Sequence, residues 1–129
     1  MELGWVIVYV RDPASSVDFY ERAFGLKRRF VHESGEFAEL DTGSTRLSFA
    51  TLELGDGNVG GVTPGDPAGR PANYELALVT DDVEGAVARA RDAGAAVVKE
   101  PVVKPWGQTV AYVRDPDGTL IEVCSPLPA

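Results

Sequence analysis

The sequence repeats itself, and the repeat limits the folds open to it. Asp12 opens a helical stretch that Gly25 closes, and Asp81 opens a second that Gly94 closes at the same spacing. The two stretches lie 69 residues apart in a 129-residue chain. Each follows a β-branched or aromatic run, Val6 to Val10 and Tyr74 to Thr80, long enough for one strand. Each precedes three more strand-like runs: Leu26 to His32, Glu36 to Leu40 and Arg46 to Leu52, then Ala96 to Val103, Thr109 to Arg114 and Leu120 to Cys124. The order is β-α-β-β-β, twice. A unit of that kind covers one face of its sheet with its helix, so a second copy is needed to bury the other face. The expected fold is α+β: two βαβββ repeats forming a curved, mixed-sheet half-barrel with a concave pocket.

Local signals place the boundaries. Asp12 suits an N-cap and Pro13 the first helical position, where a missing N–H costs nothing. Val17, Tyr20 and Phe24, flanked by Phe19 and Ala23, give that helix its apolar face, and Gly25 closes it. Val83, Ala86, Val87 and Ala90 do the same for the second helix. Thr42-Gly43-Ser44 and Asp115-Pro116-Asp117-Gly118 read as turns. Residues 55–72, rich in Gly and Pro, read as a linker. The chain is thus expected to be one domain over 1–129, with repeat one at 1–54 and repeat two at 73–129.

Composition excludes several classes of function. The formal net charge is −8, which disfavours nucleic acid and anionic membrane surfaces and would attract a cation. No apolar run is long enough to span a bilayer, and Met1-Glu2-Leu3-Gly4-Trp5 does not open a signal peptide. Cys124 is the single cysteine, so no internal disulfide forms, and a buried inert thiol is its default role. A cytoplasmic protein is expected. His32, the one histidine, has no nucleophile arrangement around it, and Lys27-Arg28-Arg29 reads as the exposed start of a strand.

Several motifs together carry a resemblance. Val8-Tyr9-Val10-Arg11-Asp12, then Ser16, Phe19-Tyr20 and Phe24-Gly25, resemble the opening signature of the vicinal-oxygen-chelate superfamily, which comprises glyoxalase I, bleomycin-resistance proteins and extradiol dioxygenases. Leu76-Ala77-Leu78-Val79-Thr80-Asp81 resembles its middle, and Asp115-Pro116-Asp117-Gly118 followed by a strand carrying Glu122 resembles its closing signature. The resemblance covers nearly the whole chain. It implies four inward-pointing side chains, two per repeat, that hold a divalent metal whose open positions chelate two adjacent substrate oxygens. Carried over position by position, those four are Trp5, Ser48, Glu75 and Glu122. Trp5 cannot ligate a metal, and a serine hydroxyl is a poor ligand for Zn, Ni or Fe. Glu75 and Glu122 can ligate, and Glu122 can also act as a general base. Two carboxylates without imidazole suit Mg or Mn with waters better than a transition metal.

Two functional readings follow. The first is a small-molecule-binding protein of the bleomycin-resistance type that sequesters an aromatic or cationic ligand with no metal cofactor. Trp5, Ser48, Glu75, Trp106 and Glu122 would line its site, with Trp106 presented by the Lys104-Pro105-Trp106-Gly107 loop. The second is a lyase, isomerase or dioxygenase that holds a divalent metal (Mg, Mn, Zn, Ni or Fe) through Glu75 and Glu122. A role for the fold with neither ligand nor catalysis is the third possibility. The resemblance also implies a homodimer.

Overall fold

A computed structural model describes residues 1–128. The chain divides into two compact units, Met1–Pro64 and a second that starts at Gly65. The first holds β1 (Trp5–Val10), α1 (Pro13–Phe24), β2 (Lys27–Val31), β3 (Phe37–Asp41), β4 (Arg46–Thr51) and α2 (Leu52–Val59). The second holds β5 (Leu76–Val79), α3 (Val83–Asp92), β6 (Ala96–Val103), β7 (Thr109–Arg114) and β8 (Leu120–Cys124). The sheet orders are β1-β4-β3-β2 and β5-β8-β7-β6. In each sheet the first strand runs parallel to the last, and the other pairs are antiparallel. The βαβββ repeat read from the sequence is therefore present in both halves, as two mixed four-stranded sheets.

The helices form where the caps demand. Asp12 accepts from the Ser15 backbone N–H, Pro13 occupies the first helical position, and Gly25 at φ 69° donates its N–H to the Glu21 carbonyl. Asp82 caps α3 in the same way through the Gly85 N–H. Strand alternation then sorts the side chains. In the first unit Val8, Leu47, Phe49, Ala38 and Leu40 are buried. Val17, Tyr20 and Ala23 of α1 pack on this face, with Tyr20 centred 5.2 Å from Phe49. In the second unit Val83, Val87 and Ala90 of α3 are buried together with Ala111, Val113, Ile121 and Val123. Each unit thus has its own apolar core under its own helix.

One expectation needs correction. The linker read at 55–72 begins with a helix: α2 runs through Val59, capped by Thr51, whose hydroxyl accepts from the Leu54 N–H, and closed by Gly60 at φ 83°. Gly55 and Gly57 obscured it, because glycine lowers helix propensity. Gly55 is there for close packing: a Cβ on it would lie 3.0 Å from Val62 and 3.1 Å from Tyr9. α2 packs on β1 and β4. The rest of the segment, from Gly65, is tied down within the second unit. Buried Arg114 donates to the carbonyls of Asp66 (2.9 Å), Gly69 (2.6 Å), Pro67 (3.3 Å) and Gly118 (2.9 Å). Asp115 braces the turn beneath, its Oδ1 accepting from the Asp117 and Thr119 N–H groups at 3.0 and 2.9 Å. The strand read from Tyr74 starts at Leu76, so Glu75 stands just before β5. Among the described residues no helix is long and apolar enough to cross a membrane.

Candidate functional site

The face of each sheet turned away from α1 or α3 carries the polar groups. In the first unit it presents Trp5 and Ile7 from β1, which are 57% and 44% exposed. Ser48 lies opposite both Ile7 and Glu39 in the register of β4 with its neighbours. Glu39 sits at the centre and is only 4% exposed. A buried carboxylate requires partners, and this one has four. Its Oε1 accepts from Trp5 Nε1 at 2.8 Å and from Ser48 Oγ at 2.9 Å. Its Oε2 faces Arg29 Nε at 3.4 Å and Arg46 Nη1 at 3.7 Å.

A β-bulge completes this wall. The register of β2 against β3 shifts between Arg28, opposite Leu40, and Phe30, opposite Glu39. Arg28 turns toward α1, where it pairs with Asp18 and Glu21. Strict alternation would send Phe30 to that side too. The extra residue brings both Arg29 and Phe30 to the open face instead. Phe30 stacks on Phe37 with centroids 6.0 Å apart and planes 28° from parallel. Trp5, Ile7, Phe30 and Phe37 line an open cavity of about 850 Å³, with Arg29, Arg46 and Glu39 among its polar groups.

The second unit has the same framework and different chemistry. Glu122 lies opposite Ala77 of β5 and Tyr112 of β7. The Tyr112 hydroxyl donates to Glu122 Oε1 at 3.2 Å. Burial, the charge of Glu122 and a hydrogen bond with it together raise the Glu75 carboxyl above its ordinary value. Glu75 is therefore held in its protonated form more readily than an isolated glutamate would be, with Glu122 beside it. Burial and Glu122 also raise Tyr112. Trp5, Ser48 and Glu39 thus stand in the first repeat where Glu75, just before β5, Glu122 and Tyr112 stand in the second.

The structure brings the expected residues together in part. Trp5 joins Ser48 through Glu39, and Glu75 joins Glu122. Trp106 belongs to neither cluster: it is 58% exposed, and its Nε1 donates to Gln108 Oε1 at 2.9 Å within its own loop. His32 is exposed, its Nδ1 2.8 Å from Ser34 Oγ. Glu39, Tyr112, Arg46, Arg29 and Phe30 escaped the sequence reading. The signal for Glu39 was weak, since it alternates with Ala38 and Leu40 as a solvent-facing acid in a strand also would. The bulge that recruits Arg29 and Phe30 has no signature.

The donors do not suit a transition metal. Of the four positions, Trp5 offers an N–H donor and the Ser48 hydroxyl is committed to Glu39. Glu39 itself faces two guanidinium groups. Among the described residues no group of three or more His, Cys, Asp or Glu side chains is placed to hold a metal ion.

Comparison with known proteins fixes the family. The model of the Glyoxalase/Bleomycin resistance protein/Dioxygenase superfamily matches residues 2–123. The chain belongs to this superfamily. A Mycobacterium bovis protein carrying the provisional name glyoxylase CFP32 is 29% identical over 126 residues, 98% of this chain and 44% of its own length. The chain thus spans less than half of that superfamily relative. Bacillus subtilis YraH, an uncharacterized protein, is 27% identical over 95% of this chain and 97% of its own length. The crystal structure of a glyoxalase-related enzyme from Fulvimarina pelagi superposes with a TM-score of 0.82 at 22% identity, covering 98% of this chain and 88% of that one. That likeness shows that the superfamily fold is kept while most side chains differ.

Cys124 follows Glu122 on β8 and is buried, as expected of an inert thiol. Burial first, and then its hydrogen bond to Glu122, push its pKa up to about 11. The thiol is therefore neutral at pH 7 and slow to react. Labelling by a disulfide reagent at pH 8 is expected to be at least about tenfold slower in the folded chain than in urea, where the thiolate is populated. Because the folded pKa lies above the unfolded one, the stability this group contributes is full below about 9 and is lost as the pH rises through about 11. Equal labelling rates in the two states would refute the burial argument.

Proposed function

We propose that this chain is a small-molecule-binding protein that holds a flat aromatic ligand in the cavity of its first unit, without a transition-metal cofactor. One observation carries the reading. Where the superfamily pattern would place the first repeat's metal ligands stand Trp5 and Ser48, both hydrogen-bonded to a buried carboxylate that two arginines also occupy. The same wall offers a half-exposed indole and a stacked phenylalanine pair, surfaces suited to a planar ring. Of the two ligand chemistries expected from the sequence, aromatic and cationic, this cavity supports the aromatic one. The acidic balance argues against nucleic acid and anionic membranes as partners, and the family likeness supports a homodimer, which light scattering measures.

A second reading rests on Glu75 and Glu122. The raised Glu75 carboxyl is the behaviour expected beside a second carboxylate close enough to share one divalent ion, which would make the chain a metal-dependent lyase, isomerase or dioxygenase. Elemental analysis of protein purified without chelators separates the two readings. The binding reading expects far less than one metal per chain. It also expects 2-naphthamide, a flat uncharged probe, to shift the Trp5 indole N–H resonance and to lose its calorimetric binding in Trp5→Ala but not in Trp106→Ala. Stoichiometric metal whose removal abolishes a turnover would replace the first reading with the second.

A further inference from the structure

Two positive side chains in the first-unit cavity share one buried negative charge. Glu39 supplies one negative charge, and Arg29 and Arg46 both face its Oε2. Its Oε1 is taken by Trp5 and Ser48. One carboxylate therefore serves two guanidinium groups, at the loose distances of 3.4 and 3.7 Å, through a single oxygen. Each guanidinium has five N–H donors in a rigid fork, and among the described residues Glu39 is the only ion partner of either. Their side chains are 47% and 27% exposed, so both can reach a ligand. Glu2 also lines the cavity, but it is exposed to solvent and forms no ion pair among the described residues.

We propose that the cavity takes a planar aromatic carboxylate, its ring lying along Trp5, Phe30 and Phe37 and its carboxylate bound by Arg29 and Arg46. The assignment rests on the aromatic-ligand reading above and adds the charge of the ligand. A carboxylate matches the guanidinium fork in bidentate geometry, and Glu39 holds both forks on the wall before the ligand arrives. The chain's net charge of −8 works against an anion only at long range, because the Debye length at physiological salt is about 8 Å. Within the cavity the nearer guanidinium groups dominate. The Glu39 carboxylate therefore acts as a positioning group: it orients the two arginines and the Trp5 indole, and the ligand does not displace it.

The test compares probes that share one ring: 2-naphthoate, 2-naphthamide and 2-naphthylmethylammonium. Calorimetry measures affinity, and the Trp5 indole N–H resonance, assigned in a Trp106→Phe background, reports where each probe binds. The expected order is naphthoate tightest, with at least about tenfold over the amide and more over the ammonium. Arg46→Gln is expected to erase that preference by weakening naphthoate far more than the amide, which a general loss of fold would not do. Glu2→Gln is expected to leave the order intact and strengthen naphthoate slightly. An ammonium probe that binds as tightly as naphthoate, or a preference that survives both Arg46→Gln and Arg29→Gln, overturns the charge assignment and leaves the aromatic reading standing. Failure of all three probes to move the Trp5 resonance overturns both.

Discussion

Glu39→Ala is expected to lower the stability of the fold by about 2–4 kcal/mol in urea unfolding. The loss has separable parts. The Ser48 hydroxyl, fully buried, keeps no acceptor, and a buried donor left unmatched costs about 1–3 kcal/mol. Trp5 is 57% exposed, so its freed N–H can bond to water. Arg29 and Arg46 lose their shared counter-charge, but at 47% and 27% exposure solvent screens much of that loss. Glu39→Gln retains an oxygen for Trp5 and Ser48 and removes only the charge, so it is expected to cost roughly half as much. An alanine variant within about 0.5 kcal/mol of the parent would mean that the four contacts do not hold the carboxylate in the way described.

The second large effect is expected at Arg114. Four backbone carbonyls, from Asp66, Pro67, Gly69 and Gly118, converge on the guanidinium of Arg114, a residue only 9% exposed. Hydrogen bonds to a charged group contribute about 1.5–3 kcal/mol each and are far from additive, so Arg114→Ala is expected to cost about 3–4 kcal/mol. Arg114→Lys should recover little of that, because a compact ammonium cannot reproduce a fork that spans two segments. Amide exchange should show the loss locally, with faster exchange at Ala68 and Gly69 than at Val113 or Val123 in the core. Gly118, at φ 95°, sits so close to the Arg114 Nη2 that a Cβ there would lie 2.9 Å from it, so Gly118→Ala should move in the same direction. Unchanged exchange across 66–69 in Arg114→Ala would show that the segment is held by something else.

The fold was legible where local signals and the repeat agreed. Asp12 with Pro13 and Gly25 bracket the first helix in both the sequence and the structure, while the third, read between Asp81 and Gly94, is capped by Asp82 and Ala93, one residue inside each. The run of β6, β7 and β8 was placed to the residue, because glycine and proline turns separate strongly β-forming segments. Legibility failed where tertiary packing overrode a local rule. α2 carries two glycines that argue against a helix, yet Gly55 is required by Tyr9 and Val62. The site was half legible. Trp5, Ser48, Glu75 and Glu122 were found by position in the repeat, while the groups that give them their chemistry, Glu39 and Tyr112, sit one strand over. Arg29 and Phe30 could not be found that way, because a single-residue bulge reverses the facing that alternation predicts.

The matched registers of the two sheets separate an address from its contents. Ile7 faces Ser48, which faces Glu39, just as Ala77 faces Glu122, which faces Tyr112. With Trp5 and Glu75, which stand two residues before Ile7 and Ala77, one set of addresses holds an indole, a hydroxyl and a buried acid; the other holds two acids and a phenol. Nothing in the backbone register had to change for the contents to diverge. A chain built in this way can acquire or shed a reactive group by exchanging side chains on strands whose pairing is already set. A protein engineer could use the same freedom, writing new chemistry into one sheet while leaving the hydrogen-bonded ladder of the other untouched.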